Sequence, residues 1–180
     1  MISRQVFHAG LSAGSALLLA TSSLCAQDSE RPERPSTAMS LMAGLGKFDL
    51  GESGSGNGFA AGFGISIPSG RYFLVEPGIG FFRYTSAFGE HIAYILPEVS
   101  LQVQAPWRSV RPYLGVGGGF SEYSSGRGTT YGTLHAAGGV RVRIAGGYGL
   151  RAEVRTRSID PFRLTTTGFL LGFTWRVGSP

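Results

Sequence analysis

The sequence predicts an all-β fold, an eight-stranded antiparallel barrel with up-and-down connections, from three observations. The first is strict alternation of apolar with small or polar residues. It is clearest in the last segment, where one face carries Phe169, Leu171, Phe173, Trp175 and Val177. A period of two is typical of a strand with one apolar face. The second observation is that eight segments are extended in this way, and the third is that short and long connections alternate between them.

The predicted strands lie near residues 39–49, 58–67, 72–84, 91–104, 109–120, 131–144, 149–157 and 166–177. Soluble strands average about five or six residues, so these lengths suit tilted strands that cross a membrane. Three prolines, Pro77, Pro97 and Pro112, fall inside the segments. Because proline lacks the amide donor of a sheet ladder, we expect β-bulges there.

The connections predict the orientation of the strands. Residues 68–70, 105–107 and 145–147 are short turns, whereas the longer polar loops are residues 51–57, 85–90, 121–130 and 158–165. Outer-membrane barrels have tight turns on the periplasmic side and longer loops outside. Both ends of the barrel are therefore expected on the periplasmic side.

Residues 1–26 are predicted to be a signal peptide for export. Arg4 supplies its positive charge, a short apolar run follows, and cleavage is placed after Ala26. Cys25 raises the alternative of lipoprotein processing, which Leu24 directly before it disfavours. Cleavage after Ala26 leaves a mature chain without cysteine, which excludes disulfide and thiolate chemistry.

The remainder divides into a proline- and charge-rich periplasmic leader, residues 27–38, predicted to be disordered, and a barrel, residues 39–177. No later stretch has the roughly 18 consecutive apolar residues of a transmembrane helix, but a closed barrel spans a membrane without one. The alternative is a soluble lipocalin-like binding barrel with its apolar face inward. A soluble exterior usually carries many lysines and glutamates, whereas this polar face is mostly Gly, Ala, Ser and Thr. The sequence therefore favours a transmembrane β-barrel in the cell outer membrane.

Positive charge comes almost entirely from arginine, because Lys47 is the only lysine. The arginines alternate with apolar residues and form no basic run, so no nucleic-acid partner is expected. With the apolar face toward lipid, the other face predicts a lumen charge network of Glu76, Glu98, Arg111, Arg141, Arg143, Arg151, Glu153, Arg155, Arg157 and Arg176.

An eight-stranded barrel is filled by its own side chains, and an unpaired buried ion is costly, so these charges must pair. Pairing across residues 146–147 would set Arg141 opposite Glu153, and Glu76 and Glu98 would be cross-strand neighbours facing the arginines of strands six and seven. Two interpretations remain: a salt-bridged plug that specifies the fold, and a narrow anion-preferring channel, since arginine outnumbers glutamate seven to three on this face.

The chain resembles the small outer-membrane barrels typified by OmpA's transmembrane domain and OmpX. The resemblance covers residues 39–177 and rests on strand count, loop alternation, a charged lumen and an aromatic-rich last strand. It implies a monomer of the Gram-negative envelope, without cofactors, in a structural, adhesive or protective role. It also implies the barrel-insertion machinery as a partner, which reads a terminal aromatic residue. This chain continues to Pro180, so Phe173 or Trp175 is expected to serve instead.

A lipid A-modifying enzyme is the catalytic alternative, with His135 as its best general base. Lipid A deacylase barrels carry a His-x-Ser pair, whereas this stretch reads His135-Ala136-Ala137. A nucleophile from another strand, such as Ser100, has no positive signal in the sequence. No pair of histidines or carboxylates has metal-ligand spacing. No catalytic residue, metal or cofactor is therefore expected.

Arg83 falls on the lipid-facing side of the third strand, near its outer end. It is predicted to contact lipopolysaccharide, since arginine binds phosphate bidentately. The alternative is a break in the alternation at residues 81–82. The sequence thus favours an outer-membrane protein with a structural or envelope-integrity role and outer-membrane lipid as its partner.

Overall fold

A computed structural model describes most of the predicted barrel. The described residues are 36–49, 51, 54–85, 89, 91–105, 107, 109–123, 130–159 and 164–177. The predicted signal peptide and residues 27–35 of the predicted leader lie outside them, and both stay predictions. Ala38, expected in the leader, is instead the first residue of the first strand.

Eight antiparallel strands close into one barrel, which confirms the predicted fold class. They are β1 (Ala38–Asp49), β2 (Ser55–Pro68), β3 (Phe73–Thr85), β4 (His91–Gln104), β5 (Val110–Tyr123), β6 (Thr130–Arg143), β7 (Tyr148–Ile159) and β8 (Leu164–Arg176). Each strand pairs with the next along the chain, and β1 pairs with β8 to close the barrel. Within the described residues, no helix has the length and apolarity needed to cross a membrane.

The two ends of the barrel differ as the connections predicted. At one end, which we call the turn end, lie the three short turns and the first and last described residues. There the Val177 amide donates to the Thr37 carbonyl at 2.9 Å. We call the opposite end the loop end.

All four predicted loops are shorter than expected, because residues at their edges continue the strands; the loop between β3 and β4 loses only Thr85. Strand β2 begins at Ser55, β5 ends at Tyr123 and β7 ends at Ile159. Ser55, for example, pairs with Asp49 across the β1–β2 hairpin.

The prediction of bulges at the prolines is wrong. The β2–β3 ladder is interrupted beside Pro77 and the β4–β5 ladder beside Pro97, yet the register is the same on both sides of each interruption. Pro112 lies at the end of the β4–β5 pairing, where its carbonyl accepts from the Ala105 amide at 2.9 Å. A bulge requires an inserted residue, whereas a proline removes only one donor and leaves the spacing intact.

The alternation separates an apolar outer wall from a polar lumen. On β4, Ile95, Val99, Leu101 and Val103 are each about half exposed, whereas the residues between them, such as Gln102, are buried. A soluble barrel would have the opposite arrangement, so the lipocalin-like alternative does not fit. The barrel therefore positions its chemically active side chains in the lumen.

Candidate functional site

An alternating series of arginine and glutamate side chains occupies the lumen from the turn end to its middle. This ion chain, as we call it, consists in order of Arg141, Glu76, Arg151, Glu153, Arg155, Glu98 and Arg157. Each member is joined to the next by an N···O distance between 2.5 and 3.0 Å. The structure thus brings together seven of the ten residues predicted for the lumen charge network.

Glu76 on β3 lies at the turn-end part of the ion chain. The two terminal nitrogens of Arg151 donate to its two oxygens, each at 2.8 Å. Arg141 donates to it at 3.0 Å and the Gln102 amide at 2.9 Å, and the Ser66 hydroxyl donates as well. One carboxylate therefore holds side chains from four other strands.

Glu153 lies in the middle of the ion chain and is 1% exposed. Arg151, Arg155 and the Tyr113 hydroxyl each donate to it at 2.6 Å. The ring of Tyr113 also has two guanidinium carbons near its centroid, that of Arg141 at 4.3 Å and that of Arg151 at 4.9 Å. Tyr113 was not among the predicted site residues, although the alternation along β5 predicts that its side chain faces the lumen.

Glu98 on β4 completes the ion chain toward the loop end. Arg155 donates to one of its oxygens at 2.8 Å, and Arg157 donates to both oxygens. Glu98 is not directly opposite Glu76, because Glu98 lies opposite Gly78 and Glu76 lies opposite Ser100. The two glutamates are thus diagonal neighbours. Glu76 contacts arginines of β6 and β7, as expected, whereas Glu98 contacts arginines of β7 among the described residues.

The predicted pairing of Arg141 with Glu153 is wrong by two residues. Arg141 lies opposite Arg151, and Glu153 lies opposite Gly139. The cause is the β6–β7 turn, in which Gly146 and Gly147 have φ of 59° and 85° and the Tyr148 amide donates to the Ala145 carbonyl. The Ile144 amide also donates to the Tyr148 carbonyl, and Arg143 lies opposite Gly149, so three residues separate the paired strands. The centre of the hairpin therefore lies at Gly146, one position earlier than the predicted pairing required.

Arg111, Arg143 and Arg176 lie at the turn end, outside the ion chain. With Arg141 they surround a cavity of about 90 Å³, which we call the mouth. Arg111 is oriented by a hydrogen bond of 2.8 Å from its Nε to the Trp107 carbonyl. These three complete the ten predicted lumen residues.

An apolar, aromatic layer fills the lumen at the loop end, and the sequence analysis did not predict it. The ring of Tyr84 lies at the centre of this group, with its centroid 4.0 Å from that of Phe48, 5.8 Å from that of Phe82 and 6.4 Å from that of Tyr94. We call these four rings, with the buried aliphatic residues around them, the aromatic layer. The sequence does contain a signal for this layer, because Phe82 and Tyr84 are separated from Glu76 by an even number of positions on β3 and so face the same side.

Ser100, His135 and Glu98 meet in the lumen in an order that superficially matches a hydrolase triad. The Ser100 hydroxyl is 2.7 Å from Nε2 of His135, and Nδ1 of His135 is 3.6 Å from Glu98. Glu98 is already held by two arginines, so Nδ1 lacks a hydrogen bond. The cavity beside Ser100 measures about 10 Å³, about the space of one water molecule and too small for a lipid substrate.

The outer wall carries two cations at its loop-end half, Lys47 and Arg83, and both are exposed. Phe82 and Tyr84 on either side of Arg83 are buried, so the alternation continues without the break considered at residues 81–82. Among the described residues, neither cation has an ion-pair partner.

A shallow groove of about 390 Å³ lies beside Lys47 on the outer wall. Its lining combines apolar side chains with polar ones nearer the loop end: Leu45, Gly46, Lys47, Asn57, Val154, Thr167, Gly168 and Phe169. The described residues contain no group of three or more histidine, cysteine, aspartate or glutamate side chains that could hold a metal ion.

The closed barrel with an apolar wall and a charged lumen defines a small integral outer-membrane protein. Residues 15–176 match the outer membrane protein beta-barrel domain family, and the chain belongs to that family. The resemblance to small outer-membrane barrels and the outer-membrane location are thereby confirmed.

Several solved structures share the fold. Neisserial surface protein A aligns with a TM-score of 0.67 at 14% identity, covering 78% of this chain and 97% of that one. Ail, the attachment invasion locus protein of Yersinia pestis, aligns with a TM-score of 0.55 at 14% identity, covering 81% and 100%. OprG from Pseudomonas aeruginosa aligns with a TM-score of 0.55 at 10% identity, covering 83% and 100%. No curated protein sequence matches the chain.

Proposed function

We propose that this protein is a non-conducting, non-catalytic barrel that contributes to the integrity of the outer membrane. The observation that carries the proposal is the filled lumen. The ion chain occupies its turn-end and middle parts, and the aromatic layer occupies its loop end. A conducting pore needs a continuous hydrated path, whereas small barrels are packed with their own side chains.

The filled lumen also argues against the two functional alternatives. Arginine does outnumber glutamate, but every arginine of the ion chain contacts at least one carboxylate, so these arginines present no row of open anion sites. Ser100 and His135 are 2% and 5% exposed, and an acyl chain in the membrane has no route to them. Both features support a structural role.

We further propose that the loop-end half of the outer wall holds lipopolysaccharide. In an outer-membrane barrel the longer loops face outward, so Lys47 and Arg83 belong near the phosphates of the outer leaflet. Both cations can bind phosphate there, Arg83 bidentately. The groove beside Lys47 offers apolar contact for an acyl chain along Leu45, Val154 and Phe169.

Conductance across planar bilayers tests the structural role. The wild-type barrel is expected to show no steps above the bilayer baseline. The control is an opened variant, Phe82→Ala with Arg155→Ala and Arg157→Ala. It is expected to conduct, because it removes part of the aromatic layer and part of the ion chain. Steady wild-type openings with anion preference, reduced by Arg141→Gln, would instead establish the channel.

Envelope permeability tests the same proposal in cells. Deletion of the gene is expected to increase sensitivity to detergent, and re-expression of the wild-type barrel is expected to restore resistance. The His135→Ala variant should restore it equally, and the mass of lipid A should not change in any of these strains. A lipid A mass difference that disappears in His135→Ala would overturn the non-catalytic assignment.

A further inference from the structure

We propose that Lys47 and Arg83 bind the two phosphates of one and the same lipid molecule, the bisphosphorylated disaccharide lipid that anchors lipopolysaccharide. The inference rests on the lipopolysaccharide surface proposed above and specifies how that surface engages its ligand. The height of the two cations on the outer wall, the distance between them and the surface that separates them all favour a single ligand.

The two cations lie at about the same height on the outer wall. Lys47 is two residues before Asp49, the last residue of β1. Arg83 is two residues before Thr85, the last residue of β3. Both strands end at the loop end, which faces outward in an outer-membrane barrel. A headgroup that lies flat in the outer leaflet therefore meets both side chains at one depth.

The register fixes the distance between the two positions. Leu45 on β1 is opposite Phe59 on β2, which is opposite Arg83 on β3. Lys47 lies two positions beyond Leu45 on the same strand. Neighbouring strands are roughly 4.8 Å apart and each residue advances roughly 3.4 Å, so the Cα atoms of Lys47 and Arg83 are about 12 Å apart. Side chains stand roughly perpendicular to a sheet, so the two charges suit phosphates at opposite ends of one disaccharide.

The surface between the cations, on β2, suits a sugar that carries acyl chains. Asn57 is exposed directly opposite Lys47, and its amide has both donors and an acceptor for sugar hydroxyl groups. Phe59, two positions nearer the turn end, is 46% exposed, and its ring centroid is 6.5 Å from that of Phe81. The polar amide above an apolar aromatic surface matches the junction between a sugar and its acyl chains.

The acidic side chains near this surface do not form ion pairs with the two cations among the described residues. Asp49 is on the same face as Lys47, but its carboxylate accepts a hydrogen bond from the Gly51 amide at 2.8 Å. Glu122 is exposed on β5, two strands away from β3. The surface from β1 to β3 therefore presents two cations to a headgroup with two phosphates.

The test compares bisphosphoryl lipid A with monophosphoryl lipid A, which lacks one of the two phosphates. Each lipid is titrated into the purified protein in a neutral maltoside detergent. The Kd is obtained from the lipid concentration that raises the midpoint of heat-induced loss of cold-SDS mobility. With bisphosphoryl lipid A, we expect Lys47→Gln and Arg83→Gln each to raise the Kd about fivefold. With monophosphoryl lipid A, at most one of the two variants should raise the Kd, because one cation has lost its phosphate.

The control is Arg71→Gln, which removes an exposed arginine at the turn end and should leave the Kd of both lipids unchanged. Both test positions are exposed, and gel mobility in cold SDS before heating checks that each variant is folded.

Equal losses in both variants with monophosphoryl lipid A would show that the two cations bind separate lipid molecules. That result would overturn the inference of a single ligand but leave the proposed lipopolysaccharide surface intact. An unchanged Kd in both variants with bisphosphoryl lipid A would instead remove the proposed surface itself, and the inference with it. A fivefold loss in Arg71→Gln would also overturn the inference, because the lipid would then respond to charge anywhere on the barrel.

Discussion

Glu76 shows how a single residue ties the barrel together. Its carboxylate is 4% exposed and accepts hydrogen bonds from side chains on β2, β4, β6 and β7. Burying ions is costly, and a buried network is favourable only when each charge is compensated. The alternation of the ion chain meets that condition, because each glutamate lies between two arginines.

Removal of the Glu76 charge should therefore destabilise the barrel strongly. We expect Glu76→Gln to lower the free energy of unfolding by about 3–5 kcal/mol, since it leaves Arg141 and Arg151 without their shared carboxylate. The measurement is urea unfolding followed by loss of the fast-migrating form in cold SDS gels.

Glu122→Gln is the matched control for this prediction. Glu122 is exposed on β5, so the same chemical change should alter stability by less than about 0.5 kcal/mol. The double variant Glu76→Gln with Arg141→Met should recover part of the loss, because it also removes the cation for which Glu76 is the carboxylate partner in the ion chain. Equal stability of Glu76→Gln and the wild type would contradict the structural importance of the ion chain.

At this scale the sequence predicts which residues enter the lumen but not which of them pair. Parity alone placed Glu76, Glu98 and Glu153 inward, because every second residue of a strand faces the same side. The pairing of Arg141 with Glu153 failed because a tight turn moved the register. Contacts across the lumen, such as Arg151 with Glu76, depend on barrel closure, which no local pattern encodes.

Among the strands, β7 shows most directly how sequence produces the ion chain. It places Arg151, Glu153, Arg155 and Arg157 at alternate positions, so one strand supplies four of the seven members. Its intervening residues, such as Val154, face the outer wall. Strand β7 therefore supplies most of the ion chain, and β3, β4 and β6 contribute one member each.

Strands β1 and β2 make room for one large ring of the aromatic layer, Phe82 of β3, by placing glycines against it. Phe82 lies against Gly46 and Gly58, where an added Cβ would come within 2.9 Å of the ring. The ring thus occupies space that any side chain at these two positions would need.

We predict that Gly46→Ala destabilises the barrel by about 1–3 kcal/mol, the usual cost of overpacking. The cost should shrink in a Phe82→Leu background, since the smaller side chain leaves room for the methyl group. Gly132→Ala on β6 is the control, because an added Cβ there meets nothing within 4 Å. The midpoint of heat-induced loss of cold-SDS mobility is measured for the wild type, Gly46→Ala, Phe82→Leu, the double variant and Gly132→Ala. Equal costs of Gly46→Ala in both backgrounds would contradict the packing role of Phe82.

The number and order of the strands were predictable from the sequence, with strand ends that differ by up to three residues, whereas the aromatic layer was not recognised. Alternation marks the side that a residue faces, but it does not say at which height the lumen changes from charged to apolar. That height depends on strand tilt and register, both set by closure of the whole barrel.

For the whole molecule, cationic side chains are found at both ends of the described barrel. Four arginines surround the mouth at the turn end, and Lys47 and Arg83 lie at the loop-end half of the outer wall. In an outer-membrane orientation, the two cations on the outer wall would meet the anionic groups of lipopolysaccharide.

We expect Lys47→Gln with Arg83→Gln to weaken binding of lipopolysaccharide by roughly tenfold or more, because each cation near anionic lipid contributes about 1 kcal/mol. Binding is measured from the lipopolysaccharide concentration that raises the thermal midpoint of the purified barrel. Arg71→Gln, at the turn end, should behave as the wild type. An unchanged midpoint curve for the double variant would remove these two residues from the lipid-binding surface.

The seam between β1 and β8 has a consequence for how the protein is made. These strands pair along twelve residues each, from Ala38 with Arg176 to Asp49 with Thr165. The first strand of the barrel therefore cannot complete its pairing until the last strand is present, and until then two strand edges are exposed to other chains. The carboxylates of β3 and β4 likewise meet their guanidinium partners only after β6 and β7 have been added. A truncated chain that lacks β8 would leave the edges of β1 and β7 unpaired and could not close the barrel around its charged lumen. We therefore expect incomplete chains to be degraded by proteases and not to act as partly functional products.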